Sequence, residues 1–142
     1  MGHQGDVDTV AWHPNGNLLL SASGVDRSAR LWDLRSASCV RLLQGHMHGV
    51  SAVAVSPDGT TVATGTRSGA LHVWDLASAQ LLSELAAHRR SIESVAFSRG
   101  GQLLASGGAD CTVALWRPCG CVSCSPHVPA SRLTRLGQEM LV

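Results

Sequence analysis

Trp32, Trp74 and Trp116 stand 42 residues apart, and most other signals in the chain repeat at nearly the same interval. Histidines recur at His3, His46 and His88, with intervals of 43 and 42. Eleven residues beyond each lies a turn signal: Pro14-Asn15-Gly16, Pro57-Asp58-Gly59 and Arg99-Gly100-Gly101. A period of this length, carried by several residue types, marks tandem copies of one supersecondary unit that cannot bury its apolar face alone. Three copies fill residues 1–116, at about 1–44, 45–86 and 87–116, and residues 117–142 break the pattern as a Cys- and Pro-containing tail expected to be flexible.

Within a copy, short apolar or β-branched runs are bounded by Gly, Pro, Asp and Ser clusters, with no helical period long enough to compete. The pattern predicts strands at Val7–Trp12, Leu18–Ala22, Ser28–Asp33 and Cys39–Leu43. The second copy repeats them at Val50–Val55, Thr61–Gly65, Ala70–Asp75 and Gln80–Leu85. The third gives Ile92–Phe97, Leu103–Gly107 and Thr112–Trp116, and then stops, with only weak strand character at Leu133–Leu136. Small residues on the second strands (Ala22, Ala63, Ala105) suit close packing of sheet on sheet.

A 42-residue period, a Gly-His opening, four strands per unit and the closing pairs Trp32-Asp33 and Trp74-Asp75 resemble the WD-repeat β-propeller family. The expected fold is therefore all-β: an incomplete WD-repeat β-propeller of three radially arranged, four-stranded antiparallel blades, the third lacking its outer strand. Three units cannot close a ring that needs at least four. Val7–Trp12 or its neighbours at one open face, and the third-strand edge of the last blade at the other, should lie exposed and prone to association. A fragment or isoform, or a partial propeller completed by another chain, would account for this; the abrupt change after Trp116 favours the former. A narrower similarity, to the C-terminal repeats of the TBP-associated factor 5 family, rests on Trp12-His13-Pro14-Asn15, Arg30-Leu31-Trp32-Asp33, Cys39-Val40-Arg41-Leu42 before Gly45-His46, and Phe97-Ser98-Arg99. It implies a nuclear interaction subunit of TFIID or SAGA-type complexes, with TBP-associated factors and histone-fold subunits as partners.

His88, Ser106 and Asp110 could be mistaken for a hydrolase triad. By the family resemblance, His88, Ser106, Asp110 and Trp116 instead form a buried hydrogen-bonded tetrad, in which each polar group satisfies another. Counting back from Trp32, the first copy has His3, Asp26 and Trp32 but Ala22 where the hydroxyl belongs. The second has His46, Thr64 and Trp74, with Ser68 replacing the acid. On that count the first two blades should be softer than the third. No Gly-X-Ser-X-Gly elbow is present, so no catalytic role, small-molecule substrate or cofactor is expected.

Cys119, Cys121, Cys124 and His127 could in principle hold Zn²⁺, but their C-x-C-x₂-C-x₂-H spacing is tighter than paired C-x₂-C loops and no second ligand cluster accompanies them, which favours adventitious or redox-labile cysteines over a metal site. Residues 1–116 carry eight Arg against nine Asp plus Glu, so no phosphate-binding footprint and no nucleic-acid partner is expected. No apolar run is long enough for a membrane span, so the chain is expected to be soluble and intracellular. In the family, partners engage loops at one end of the propeller. Here these loops offer Gln4, Asp6, Met47, His48, Arg89 and Arg90, with Arg27 and Arg67 nearby, types suited to protein interfaces. The reading is a non-catalytic interaction scaffold. The alternative is a cullin-RING ubiquitin ligase substrate receptor, docking through a Trp-Asp-X-Arg box formed by Asp26, Trp32, Asp33 and Arg35.

Overall fold

The computed structural model describes residues 2–118, 133–135 and 140–141. The Cys119, Cys121, Cys124 and His127 cluster, and most of the tail read as flexible, lie outside the described residues. The strands are β1 (Val7–Trp12), β2 (Leu18–Ser23), β3 (Ala29–Asp33) and β4 (Ser38–Leu43); β5 (Val50–Val55), β6 (Thr61–Thr66), β7 (Ala70–Asp75) and β8 (Gln80–Ala86); then β9 (Ile92–Phe97), β10 (Leu104–Gly108), β11 (Thr112–Pro118), β12 (Leu133–Arg135) and β13 (Met140–Leu141). Each consecutive set forms one antiparallel sheet, β1-β2-β3-β4, β5-β6-β7-β8 and β9-β10-β11. No helix among the described residues is long and apolar enough to cross a membrane.

The outer edge of the third blade differs from expectation. Both β12 and β13 pair antiparallel with β11, through Trp116↔Arg135 and Val113↔Met140. The blade therefore does have a partner along its third strand, drawn from the tail in two short pieces. The sequence obscures this because prolines and a break of pattern separate Trp116 from Leu133, so the returning segment falls far from the expected offset.

Alternation along the strands gives each blade two unlike faces. In the second blade Val55, Val62 and Trp74 align across the sheet on one face, while Ala54, Ala63 and Val73 align on the other. The tryptophan face packs on the first blade, where Trp74, Val53 and Val62 meet Leu20, Ala22, Ala29 and Leu31 in one apolar cluster. The small-residue face packs on the third blade, where Ala52, Ala54 and Ala63 meet Trp116, Val95 and Leu104. Both junctions thus set a tryptophan face on the opposite face of the preceding blade, which carries alanines together with leucine or valine.

At one end of the sheets the junctions are closed by backbone approaching backbone. A Cβ on Gly49 would collide with the Gly24 carbonyl of the first blade. Gly69, at φ 90°, sits against the His88 and Arg90 carbonyls at the start of the third blade. At the opposite end His13 Nε2 donates to the Gly59 carbonyl at 3.0 Å, and Arg41 Nε donates to the Ala77 carbonyl at 3.2 Å. Gly49→Ala and Gly69→Ala are accordingly expected to lower stability by about 1–3 kcal/mol in urea unfolding, the latter also through left-handed backbone strain. Gly100→Ala, where a Cβ meets nothing within 4 Å, should change little.

Candidate functional site

The loops preceding the first strands and the turns between second and third strands converge at the end where Gly24 meets Gly49. What orders them is a polar chain inside each blade. In the third blade the Trp116 indole donates to Ser106 Oγ at 3.1 Å, and Ser106 Oγ lies 2.8 Å from His88 Nε2. His88 Nδ1 faces Asp110 Oδ1 at 3.1 Å. A carboxylate only accepts, so the proton sits on Nδ1, and Nε2 then accepts from the serine hydroxyl. Asp110 also accepts from Thr112 Oγ1 at 2.7 Å and from the Arg89 backbone N–H at 3.0 Å. The Thr112 hydroxyl, with these other donors, holds its carboxyl well below the usual range.

The first blade has the same arrangement, but its hydroxyl belongs to Ser21. Trp32 Nε1 donates to Ser21 Oγ at 2.8 Å, and His3 Nε2 lies 2.7 Å from the same oxygen. His3 Nδ1 donates to Asp26 Oδ2 at 2.7 Å. The expectation that Ala22 leaves the tetrad incomplete is therefore corrected. Ala22 pairs with Ala29 and lies on the opposite face, fully buried at the junction with the second blade. The turn after Ser21 holds one extra residue, which defeats counting back from tryptophan. Counting forward would have found it, since His3–Ser21, His46–Thr64 and His88–Ser106 are all 18 residues apart. Burial pushes the Asp26 carboxyl up, but hydrogen bonds from Ser28, His3 and the Gln4 N–H outweigh it and lower the value to about 2.

The second blade lacks the acid, and a neighbouring backbone carbonyl takes its place. Trp74 Nε1 donates to Thr64 Oγ1 at 3.0 Å, and that oxygen lies 2.8 Å from His46 Nε2. His46 Nδ1 donates to the Arg27 carbonyl of the first blade at 3.1 Å. Ser68 turns away, its hydroxyl 2.9 Å from Thr66 Oγ1. Arg27 adds a second tie, from its Nη1 to the Met47 carbonyl at 3.2 Å. It carries a left-handed φ of 58°, a conformation that the turn imposes on a non-glycine residue.

His72 is a site residue that the repeat pattern gave no reason to single out. It sits buried on β7 with its ring 5.0 Å from that of His46, and its Nδ1 has no hydrogen-bond partner among the described residues. Nε2 lies 3.6 Å from Glu84 Oε1. Burial, and secondarily the neighbouring His72, lower the His46 value from 6.5 to about 4. Burial also lowers His72, with Glu84 opposing.

Of the residues read as partner contacts, Gln4, Asp6, Met47, His48, Arg89, Arg90, Arg27 and Arg67 are all exposed at this end, Met47 at 74%. Arg27 is partly engaged as described, and Arg67 reaches Asp8 on the first blade at 3.4 Å, an exposed pair of small energetic weight. Asp33 Oδ1 accepts from the Arg35 N–H at 2.9 Å, while Arg35 is exposed. Among the described residues no group of His, Cys, Asp and Glu is arranged to hold a metal ion.

Two outcomes test this arrangement. Ser21→Ala should cost about 1–3 kcal/mol in urea unfolding, because it strands both the Trp32 N–H and the His3 Nε2. A loss no greater than that of the exposed Ser36→Ala would remove Ser21 from the tetrad. The second outcome concerns pH. The unfolded chain takes up a proton on this imidazole near pH 6.5, and the folded chain only near 4. The His46 contribution, on the order of 3 kcal/mol, is then complete above pH 6.5 and lost as pH falls toward 4. Stability measured in pH steps should decline through that window, and His46→Gln should flatten the decline.

The family model described as WD domain, G-beta repeat matches the chain three times, over residues 1–33, 37–75 and 79–117. These sequence repeats end at the third strand, so they are offset by one strand from the blades. Among curated proteins, THO complex subunit 3 of Arabidopsis thaliana is 35% identical over 72 residues, 51% of this chain and 22% of that protein. Small ribosomal subunit protein RACK1y of Oryza sativa subsp. japonica is 42% identical over 69 residues, 48% of this chain and 20% of its own length. Among solved structures, the crystal structure of RRP9 WD40 repeats is similar at a TM-score of 0.77 and 30% identity, over 82% of this chain and 37% of that one. The chain therefore spans well under half the length of each of these proteins. With three matched repeats, a recurring interval of about 42 residues in its own sequence and a fold similar to that structure, the chain belongs to the WD40 repeat family.

Proposed function

We propose that this chain is a non-catalytic protein–protein interaction scaffold, working as part of a WD-repeat subunit of a transcription initiation or coactivator complex of the TFIID or SAGA type. The observation that carries the scaffold reading is the fate of the nucleophile-like residues. Ser21, Thr64 and Ser106 each accept a tryptophan N–H while facing a histidine, so their hydroxyls serve internal satisfaction. The same bonds stiffen the loop end and leave Met47, His48, Arg89 and Arg90 exposed as recognition groups. Long apolar and guanidinium side chains on rigid loops suit protein partners better than small substrates.

The finer assignment rests on the sequence motifs shared with the TBP-associated factor 5 family, and carries with it TBP-associated factors and histone-fold subunits as partners and the nucleus as location. The ubiquitin-ligase alternative would use Arg35, while the box carboxylates Asp26 and Asp33 already accept internal hydrogen bonds. Pull-down from nuclear extract distinguishes them. Arg89→Glu with Arg90→Glu should reduce recovery of TFIID or SAGA-type subunits at least ~10-fold, equivalent to about 1.4 kcal/mol. Arg35→Ala should leave that recovery unchanged. Recovery of a cullin-RING adaptor that Arg35→Ala abolishes would overturn the transcription reading in favour of the alternative.

A further inference from the structure

We infer that the junction between the first and second blades carries a separate docking groove, at the end opposite the recognition loops, for a partner segment that sets an aliphatic or aromatic residue close to a carboxylate. Leu18, Leu31 and Val40 of the first blade and Leu76 and Ala77 of the second line an open cavity of about 390 Å³, and the exposed Arg41 lines it with them. Blades in such a stack touch only their neighbours, so the groove is the same whatever precedes or follows these three.

The cavity marks a difference between the two junctions. β4 bulges at Val40, since Leu31 pairs with Arg41 and Trp32 with Cys39. β8 bulges at Leu82, since Val73 pairs with Ser83 and Trp74 with Leu81. Val40 and Leu82 are therefore equivalent, as are Arg41 and Ser83. Leu82 packs against the core of the second junction. Val40, one methylene shorter, stays 37% exposed and lines the cavity instead.

The polar groups around the cavity indicate what fits it. His13 donates from Nε2 to the Gly59 carbonyl and accepts at Nδ1 from the Asn15 N–H. Thr60 Oγ1 donates to Asp58 Oδ1 at 2.9 Å, and Asp75 Oδ2 accepts from both the N–H and the hydroxyl of Ser78. Arg41 is held at the groove by two bonds, Nε to the Ala77 carbonyl at 3.2 Å and Nη1 to the Val40 carbonyl at 2.8 Å, while Nη2 has no partner among the described residues. A guanidinium already fixed has little side-chain freedom left to lose when it meets a carboxylate. An apolar floor beside that cation therefore suits an apolar side chain with an acid close by, and a basic segment would face like charge.

The groove does not depend on the assignment proposed above, and it is tested on the 142-residue chain by fluorescence anisotropy. The probes are labelled hexapeptides in a Gly-Ser background, each with one Leu and one Glu at a spacing of one, two or three residues. In at least one spacing the Leu–Glu peptide should bind ~10-fold or more tightly than its counterparts with Gln for Glu or Ala for Leu. Val40→Phe, which fills the cavity from its wall, should weaken that binding at least ~10-fold, with the sheet signal in circular dichroism retained. Arg41→Gln should erase the preference for Glu over Gln, whereas a purely structural role for Arg41 would lower both peptides alike. Arg89→Glu with Arg90→Glu, which tests the loop end, should leave the peptide affinity unchanged. Absence of Leu–Glu binding, equal binding of a Leu–Lys peptide, loss of binding on changing Arg89 and Arg90, or indifference to Val40→Phe or Arg41→Gln would each overturn the inference.

Discussion

An indole N–H taken out of water, as those of Trp74 and Trp116 are between two sheets and that of Trp32 is in part, costs about 1–3 kcal/mol if left unpaired. Each blade meets this demand with a hydroxyl on the adjacent strand, and the hydroxyl can accept only if its own proton is directed elsewhere. It goes to a histidine Nε2, which is free to accept because a fixed acceptor holds the ring's proton at Nδ1. The requirement of one buried donor thus propagates from the middle of the third strand, across the second, to the segment before the first. In the outer two blades it ends on the carboxylates Asp26 and Asp110, which also fasten the Gln4 and Arg89 backbone. Loop geometry at the exposed end is therefore a consequence of satisfying tryptophan in the core.

The second blade shows which part of this chain can vary. Its acceptor for Nδ1 is the Arg27 carbonyl, a group belonging to the preceding blade. Any acceptor without a proton of its own fixes the tautomer, so the substitution preserves the hydrogen-bond direction. It changes the electrostatics, because a carbonyl stabilises imidazolium less than a carboxylate does, and burial then dominates the His46 titration. It also turns an intra-blade restraint into an inter-blade one, so that the His46 ring and the Arg27 guanidinium both bind the second blade to the first.

Periodicity made the architecture legible: eleven strands, the sheet order and the three-fold repetition follow from recurring Trp, His and turn residues. What escaped was local. Ser21 was displaced by one inserted residue, and only the constant distance from histidine preserves its position. The Arg27 carbonyl belongs to the backbone, which carries no residue-specific signal. His72 occupies a strand position aligned with Arg30 and Ala114, so the repeats give no template for a second buried imidazole. The returning strand of the third blade is a long-range pairing of short pieces, for which local propensity is a weak guide.

Tetrad completeness is also a poor guide to which blade is held best. One hydrogen bond contributes about 1 kcal/mol net, whereas each large apolar side chain taken out of water contributes about 1.5–3. In a stack where each unit touches only its neighbours, the middle unit has both faces covered. The second blade, with the incomplete tetrad, buries Val50, Ala52, Val53, Ala54, Val62, Ala63, Leu71, Val73 and Trp74, while the first leaves Val7, Val10 and Trp12 exposed despite a complete one. Neighbour burial therefore outweighs the missing acid. Because the two faces of a blade are unlike, the stack also has a direction. The polarity established by the first alternating strand thus decides which surfaces can extend the stack.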